Sequence, residues 1–199
     1  MVMKMQILRI IIALAFGVTL AFAQDKISHP YYPLSVGTEW QYNFNYAEGM
    51  VYRTVEKTIG DTLFYIKDRV SFGSVLATID WEKLVIRKNG IYRVAFKGMD
   101  DPEYNEKNPP ELVLPLPMEI GFKWEHGIQK YEITEHHRDV TVTTKTYEDC
   151  YIIESLNSRS NLKERYFYAR NLGLVLISMK SQSPGNNWDW VLAITESTP

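Results

Sequence analysis

The chain has 199 residues, 45% of them hydrophobic and 13% aromatic, and its 22 basic and 24 acidic residues give a formal net charge of −2. Charges of both signs are interspersed, so there is no basic stripe for nucleic acid or for an anionic membrane surface, and neither partner is expected. The one cysteine, Cys150, cannot form an internal disulfide, so stability has to come from core burial, for which 13 tyrosines supply material.

Residues 1–23 carry Lys4 and Arg9, then an almost wholly apolar run from Ile10 to Phe22, and end in Ala21-Phe22-Ala23 before Gln24. This predicts a secretory signal peptide with a small-x-small cleavage site. The apolar run is shorter than the roughly 20 residues of a spanning helix, so no stable membrane span is expected after cleavage. No cysteine stands just after the cleavage point, which argues against an acylated N-terminus. Loss of the leader's two positive charges takes the net from −2 to about −4. The expected location is outside the cytoplasm: periplasm, cell surface or extracellular medium.

Residues 24–30 read as an extended arm, polar and ending in an X-Pro step. His29 is expected to be solvated there, since it lacks the further ligands a metal needs. A first β unit spans 31–97. Trp40, Tyr42, Phe44 and Tyr46 alternate with Glu39, Gln41, Asn43 and Asn45, the period of a half-buried strand with an aromatic face. Those aromatics read as core rather than as a sugar-stacking platform. In 51–59, Val51, Arg53, Val55 and Lys57 share one face. Further strands are expected at 62–70, 75–81, 83–88 and 91–96, with Gly60-Asp61 and Asn89-Gly90 as tight turns.

Residues 98–113 read as an acidic linker: five acidic residues and three prolines fall between 98 and 111 with no apolar period. Asp100, Asp101, Glu103 and Glu106 match no calcium-loop spacing. A second β unit spans 114–199 and opens with Leu114-Pro115-Leu116-Pro117, whose prolines disfavour a central strand. Its strands are expected at 126–136, 138–146, 149–156, 162–169, 174–180 and 188–195. No amphipathic helix of three turns follows the leader, so the protein is expected to be all-β.

Gly37 and Gly121 are 84 residues apart, as are Trp40 and Trp124, while the turn glycines Gly90 and Gly173 are 83 apart. In this repeated opening, Pro33 or Pro115 blocks earlier pairing, the glycine permits positive φ, and the tryptophan drops a large ring into the core. The expectation is a set of antiparallel sheets built from two quasi-repeats of about 84 residues sharing one core, as a curved sheet, a half-barrel or a sandwich.

Four segments carry a resemblance: Tyr32 to Trp40, Leu114 to Trp124, Thr146-Tyr147-Glu148-Asp149-Cys150, and Phe167-Tyr168-Ala169-Arg170-Asn171-Leu172-Gly173-Leu174-Val175. Their order resembles a broad group of secreted or surface bacterial β-rich proteins of unknown function. That group has a Tyr-x-Pro-Leu-x-x-Gly-x-x-Trp opening, a central Leu-Pro-Leu-x-x-x-x-Gly-x-x-Trp, an (Asp/Asn)-Cys segment and a Tyr-Tyr-Ala-x-x-x-Gly-Leu-Val ending. Tyr147 stands where the group usually has Phe, and Asn171 where it often has Gly. The resemblance implies an exported antiparallel β fold and supplies no catalytic residues.

Nucleophile elbows, phosphate loops, dinucleotide fingerprints and zinc-protease helices are all missing from the sequence. His136 and His137 are strand neighbours that point to opposite faces, so they are read as exposed and not as a metal pair. Cys150, between Asp149 and Tyr151, reads as a buried structural thiol. No catalytic, metal or cofactor residue is assigned. The structural residues are Pro33, Gly37, Trp40, Gly90, Pro115, Gly121, Trp124, Cys150 and Gly173. The expected function is that of a non-catalytic envelope or extracellular binding module for a protein, glycan or hydrophobic ligand. The alternative is a carrier of a lipid or other apolar molecule in a curved-sheet cavity, and a hydrolase comes last.

Overall fold

The alternating residues fold into strands, twelve among the described residues, which contain no helix. The structure is a computed structural model that describes residues 29–44, 49–101, 103–142, 144–180 and 187–193, the last by their backbone. The expected leader, most of the arm and Tyr46 lie outside the described residues.

The strands are β1 (Glu39–Phe44), β2 (Met50–Ile59), β3 (Leu63–Phe72), β4 (Val75–Arg87), β5 (Gly90–Gly98) and β6 (Asn105–Pro115), then β7 (Lys123–His126), β8 (Gln129–Val142), β9 (Lys145–Asn157), β10 (Lys163–Ala169), β11 (Gly173–Lys180) and β12 (Asn187–Ala193). They form one antiparallel sheet in the order β6-β5-β4-β3-β2-β1-β12-β11-β10-β9-β8-β7. The chain begins at the centre with β1 and steps outward, hairpin by hairpin, to β6 at one edge. It then crosses to β7 at the other edge and steps back to β12, which pairs with β1 from Gln41↔Ala193 to Phe44↔Trp190.

Register shifts interrupt the ladders at Val55/Lys57, Asp68/Arg69, Lys83/Leu84, Ile133/Glu135 and Phe167/Tyr168. Each such bulge bends and twists its strand, so a sheet of this width curls rather than spreading flat. The edges β6 and β7 come to face each other without closing a barrel. Val55, Leu84, Ile91, Leu114, Ile133 and Val175 are fully buried in this curl.

The two openings make the same three backbone hydrogen bonds. Gly37 N–H donates to Val55 O, Val55 N–H to Thr38 O, and Thr38 N–H to Ser35 O, at 2.9, 2.9 and 3.0 Å. Gly121 N–H donates to Ile133 O, Ile133 N–H to Phe122 O, and Phe122 N–H to Glu119 O, at 2.8, 3.0 and 3.0 Å. The glycines hold φ of +89° and +87°, a conformation side chains rarely adopt.

Four sequence expectations are corrected. The segment read as a linker contains β6, an edge strand. Its pairing with β5 jumps from Arg93↔Glu111 to Ala95↔Glu106, so Pro109 and Pro110 fall in the interruption, where no ladder donor is required. Residues 75–81 and 83–88 form one strand, β4. The expected strands 126–136 and 138–146 are replaced by β7 and the long β8, because Gly127 at φ +60° makes the turn after His126. His29 is not solvated: it is 2% exposed. Its Nε2 lies 2.9 Å from Pro115 O, which can only accept, and Tyr31 N–H donates to Nδ1 at 3.2 Å, which fixes the neutral tautomer.

Candidate functional site

On a strand, residues i and i+2 share a face. Four neighbouring strands place charged residues in phase with buried apolar ones: Arg53 before Val55 on β2, Asp68 after Ile66 on β3, Asp80 and Glu82 before Leu84 on β4, and Arg93 after Ile91 on β5. Arg53 Nη1 lies 2.7 Å from Asp68 Oδ2, and its Nη2 pairs with Glu82 Oε2. Arg93 Nη2 pairs with the other oxygen of Glu82, and Arg93 Nη1 lies 3.5 Å from Glu111 Oε2 on β6. The same Glu111 oxygen is 2.9 Å from His126 Nε2 on β7. Arg53 Nε donates to the hydroxyl of Tyr32 at 2.9 Å. A chain of charges therefore crosses the interior from β2 to β6 and spans the gap to β7.

Buried charges are costly unless paired, and the two carboxylates are treated differently. Glu82 is 5% exposed; burial works to raise its pKa, but Arg53 and Arg93 grip both oxygens and hold it below the usual carboxylate range. Asp68 is 8% exposed and has a partner on Oδ2 alone, while Oδ1 has none among the described residues. Burial dominates there. With Glu82 and Asp80 nearby it outweighs Arg53 and pushes the Asp68 pKa up to about 6.

This charged wall borders an interior cavity of about 410 Å³ that stands about half open to solvent. Val51, Val70, Val113 and Ile177 supply apolar surface to it, and Tyr42, Tyr166 and Tyr168 supply aromatic surface. A smaller cavity of about 170 Å³ shares Arg93, Val113, Tyr166 and Tyr168 with the first and reaches Trp124 and His126. It lies against the open seam between β6 and β7.

Of the residues singled out from sequence, Trp124 lines the smaller cavity, and the others line neither cavity but make turns and packing contacts of the sheet. Trp40 Nε1 donates to Leu172 O at 2.6 Å, and Gly173 sits against the indole and Pro33. Trp124 stacks on Tyr131 at 5.1 Å, and its Nε1 has no partner among the described residues. Pro115 is fully buried beside Gly90, whose Cα is so close to Leu114 O that an added Cβ would lie 2.4 Å from it. Gly37 and Gly121 make the paired turns.

Cys150 is fully buried, with Sγ 3.5 Å from Tyr147 O. Burial, followed by the charges of Asp149 and Asp139, pushes the thiol up to about 11. Asp149 takes a positive φ of 51° and binds Tyr31 Oη at 2.8 Å, His136 Nε2 at 2.6 Å and Arg170 Nη1 at 3.0 Å. Burial works against ionisation of Asp149, but these three donors hold its pKa below the usual value. His137 pairs instead with Glu135, at 2.6 Å. Among the described residues, no three His, Cys, Asp or Glu side chains are grouped to hold a metal ion, and no helix is long and apolar enough to cross a membrane.

The charge chain was not foreseen from the sequence. The signal was present: Val51-x-Arg53-x-Val55, Ile66-x-Asp68-x-Val70, Glu82-x-Leu84 and Ile91-x-Arg93-x-Ala95 each put a charge in the apolar phase of a strand.

No family model matches the chain, and no curated protein matches it. Among solved structures it is similar to a protein from Parabacteroides distasonis provisionally described as a lipoprotein. That likeness has a TM-score of 0.46 and 14% identity, and covers 83% of this chain and 98% of the other.

Proposed function

We propose that the protein is an exported, non-catalytic carrier that holds a small amphipathic molecule inside its curled sheet. The observation that carries this reading is the interior cavity of about 410 Å³, with a charged wall on β2 to β5 and apolar and aromatic surface around it. Ligand pockets commonly hold some 300–1,000 Å³ and combine an apolar lining with a few converging polar groups. At roughly 30 Å³ per water-sized group, this one has space for about a dozen heavy atoms. Export is supported by the basic and apolar leader in residues 1–23, and by the resemblance to secreted and surface bacterial proteins. Against hydrolysis, the cavity's described lining holds no Ser, Cys or His, and both oxygens of Glu82 are engaged by guanidiniums.

Titration of the mature protein with 1-octanol, followed by amide NMR, tests the reading. Saturable shifts centred on Val51, Val70 and Ile177, weakened in the cavity-filling variant Val70→Phe, are expected. Shifts that spread over the outer surface, or that Val70→Phe leaves unchanged, would overturn it.

A further inference from the structure

We infer that the interior cavity selects a cationic amphiphile, an ammonium head on a short apolar body, and that Asp68 and Asp80 receive the head. The inference rests on the carrier reading above and names its ligand class.

Three carboxylates, Asp68, Asp80 and Glu82, line the cavity against two guanidiniums, Arg53 and Arg93. The terminal nitrogens of both guanidiniums are already engaged. Arg53 is divided between Asp68 and Glu82, and Arg93 between Glu82 and, at 3.5 Å, Glu111. Glu82 is satisfied on both oxygens. Among the described residues of the lining, one acceptor, Oδ1 of Asp68, a residue 8% exposed, and one donor, Nε of Arg93, are left without a hydrogen-bond partner, while the carboxylates outnumber the guanidiniums three to two, so the surplus charge is negative. Asp80 stands directly opposite Asp68 in the β3–β4 ladder. Like charges placed directly across a ladder repel each other, and a cation between them removes that repulsion.

Burial raises both aspartates, as expected where negative charge lacks a full complement of donors. The neighbouring wall suits such a head as well. The rings of Tyr42, Tyr166 and Tyr168 line the same cavity, and aromatic faces attract desolvated ammonium groups. Val51, Val70, Val113 and Ile177 would receive the apolar body. An anionic head would add a fourth negative charge beside Asp68, Asp80 and Glu82, with Nε of Arg93 as the one unpartnered guanidinium donor of the described lining, and the surplus of carboxylates would repel it.

Octylamine, 1-octanol and octanoate share one chain length and differ in head group, so their calorimetric titration at neutral pH separates the cavity from its charge. Octylamine is expected to bind tighter than 1-octanol by about tenfold or more, with octanoate weakest. Asp68→Asn should bring the amine-to-alcohol ratio toward one. Because it also removes a partner of Arg53, Asp80→Asn is the second variant; it leaves every ion pair of the chain in place and should reduce the same ratio. Binding of 1-octanol with no preference for the amine, or tightest binding of octanoate, overturns the cation inference and leaves the carrier reading standing. Binding of none of the three overturns both.

Discussion

The chain meets itself at two seams, one between β1 and β12 and one between β6 and β7, and only the first is sewn. At the first, β1 ladders to β12 on one side and β2 on the other, Trp40 is 3% exposed, and its indole donates to Leu172 O at 2.6 Å. At the second, β6 and β7 are the sheet's two edges, the indole N–H of Trp124 has no partner among the described residues, and Glu111 and His126 reach across at 2.9 Å. Both openings use the same turn hydrogen bonds, so the turn does not make the difference. The strands do: β7 has four residues against six in β1, and β6 carries Pro109 and Pro110, which offer no donor. A laddered seam gives rigidity, whereas an unladdered one backed by a cavity leaves a place where the interior can open at small cost.

The largest effect that would sharpen this comparison is expected at Gly90. An alanine Cβ there would meet backbone, Leu114 O at 2.4 Å, so Gly90→Ala should destabilise by about 3 kcal/mol in urea unfolding. Its counterpart Gly173 would place the atom 3.1 Å from Trp40 Nε1, a side-chain contact, and Gly173→Ala should cost less. Gly37→Ala and Gly121→Ala meet open space and should lose only the positive-φ penalty, about 1–2 kcal/mol each. Unequal losses at that pair would break the equivalence of the openings.

The tryptophans come next. Trp40→Phe removes a part-buried hydrogen bond to Leu172 O together with part of a buried ring, for a loss of about 2 kcal/mol. Trp124→Phe loses the same ring volume but discards an N–H that was already unpartnered, so it should cost about 1 kcal/mol less than Trp40→Phe. Equal costs at the two positions would show that both seams are locked alike.

The charged wall adds a pH dependence. Asp68 has its folded pKa raised from 3.8 to about 6, so the folded state keeps that proton through a window where the unfolded state has released it. The contribution of Asp68 to stability is therefore full below about 4 and is lost as pH rises toward and past 6. Asn does not titrate. The Tm of Asp68→Asn minus that of wild type should grow more positive as pH rises through this window, and a constant difference would contradict the assignment.

Much of the sheet can be read from the chain because a half-buried strand writes its period into its residues. Trp40 and Tyr42, Val51 to Val55, and the Asn89-Gly90 turn all state their own structure. β6 does not, since an edge strand with an interrupted ladder tolerates prolines and acidic residues that a central strand would exclude. His29 was misread because its partner, the carbonyl of Pro115, lies 86 positions away. The charge chain was missed for a related reason: each member looks like an ordinary polar residue in its own strand. Only the ladder, which brings β2 to β5 side by side, shows that Arg53, Asp68, Glu82 and Arg93 face one interior.

Native mass spectrometry of the protein recovered from its own host tests the proposed carrier role most directly. The account predicts a bound small molecule that is released only on denaturation and is absent from Val70→Phe. A bare chain in both proteins would contradict it.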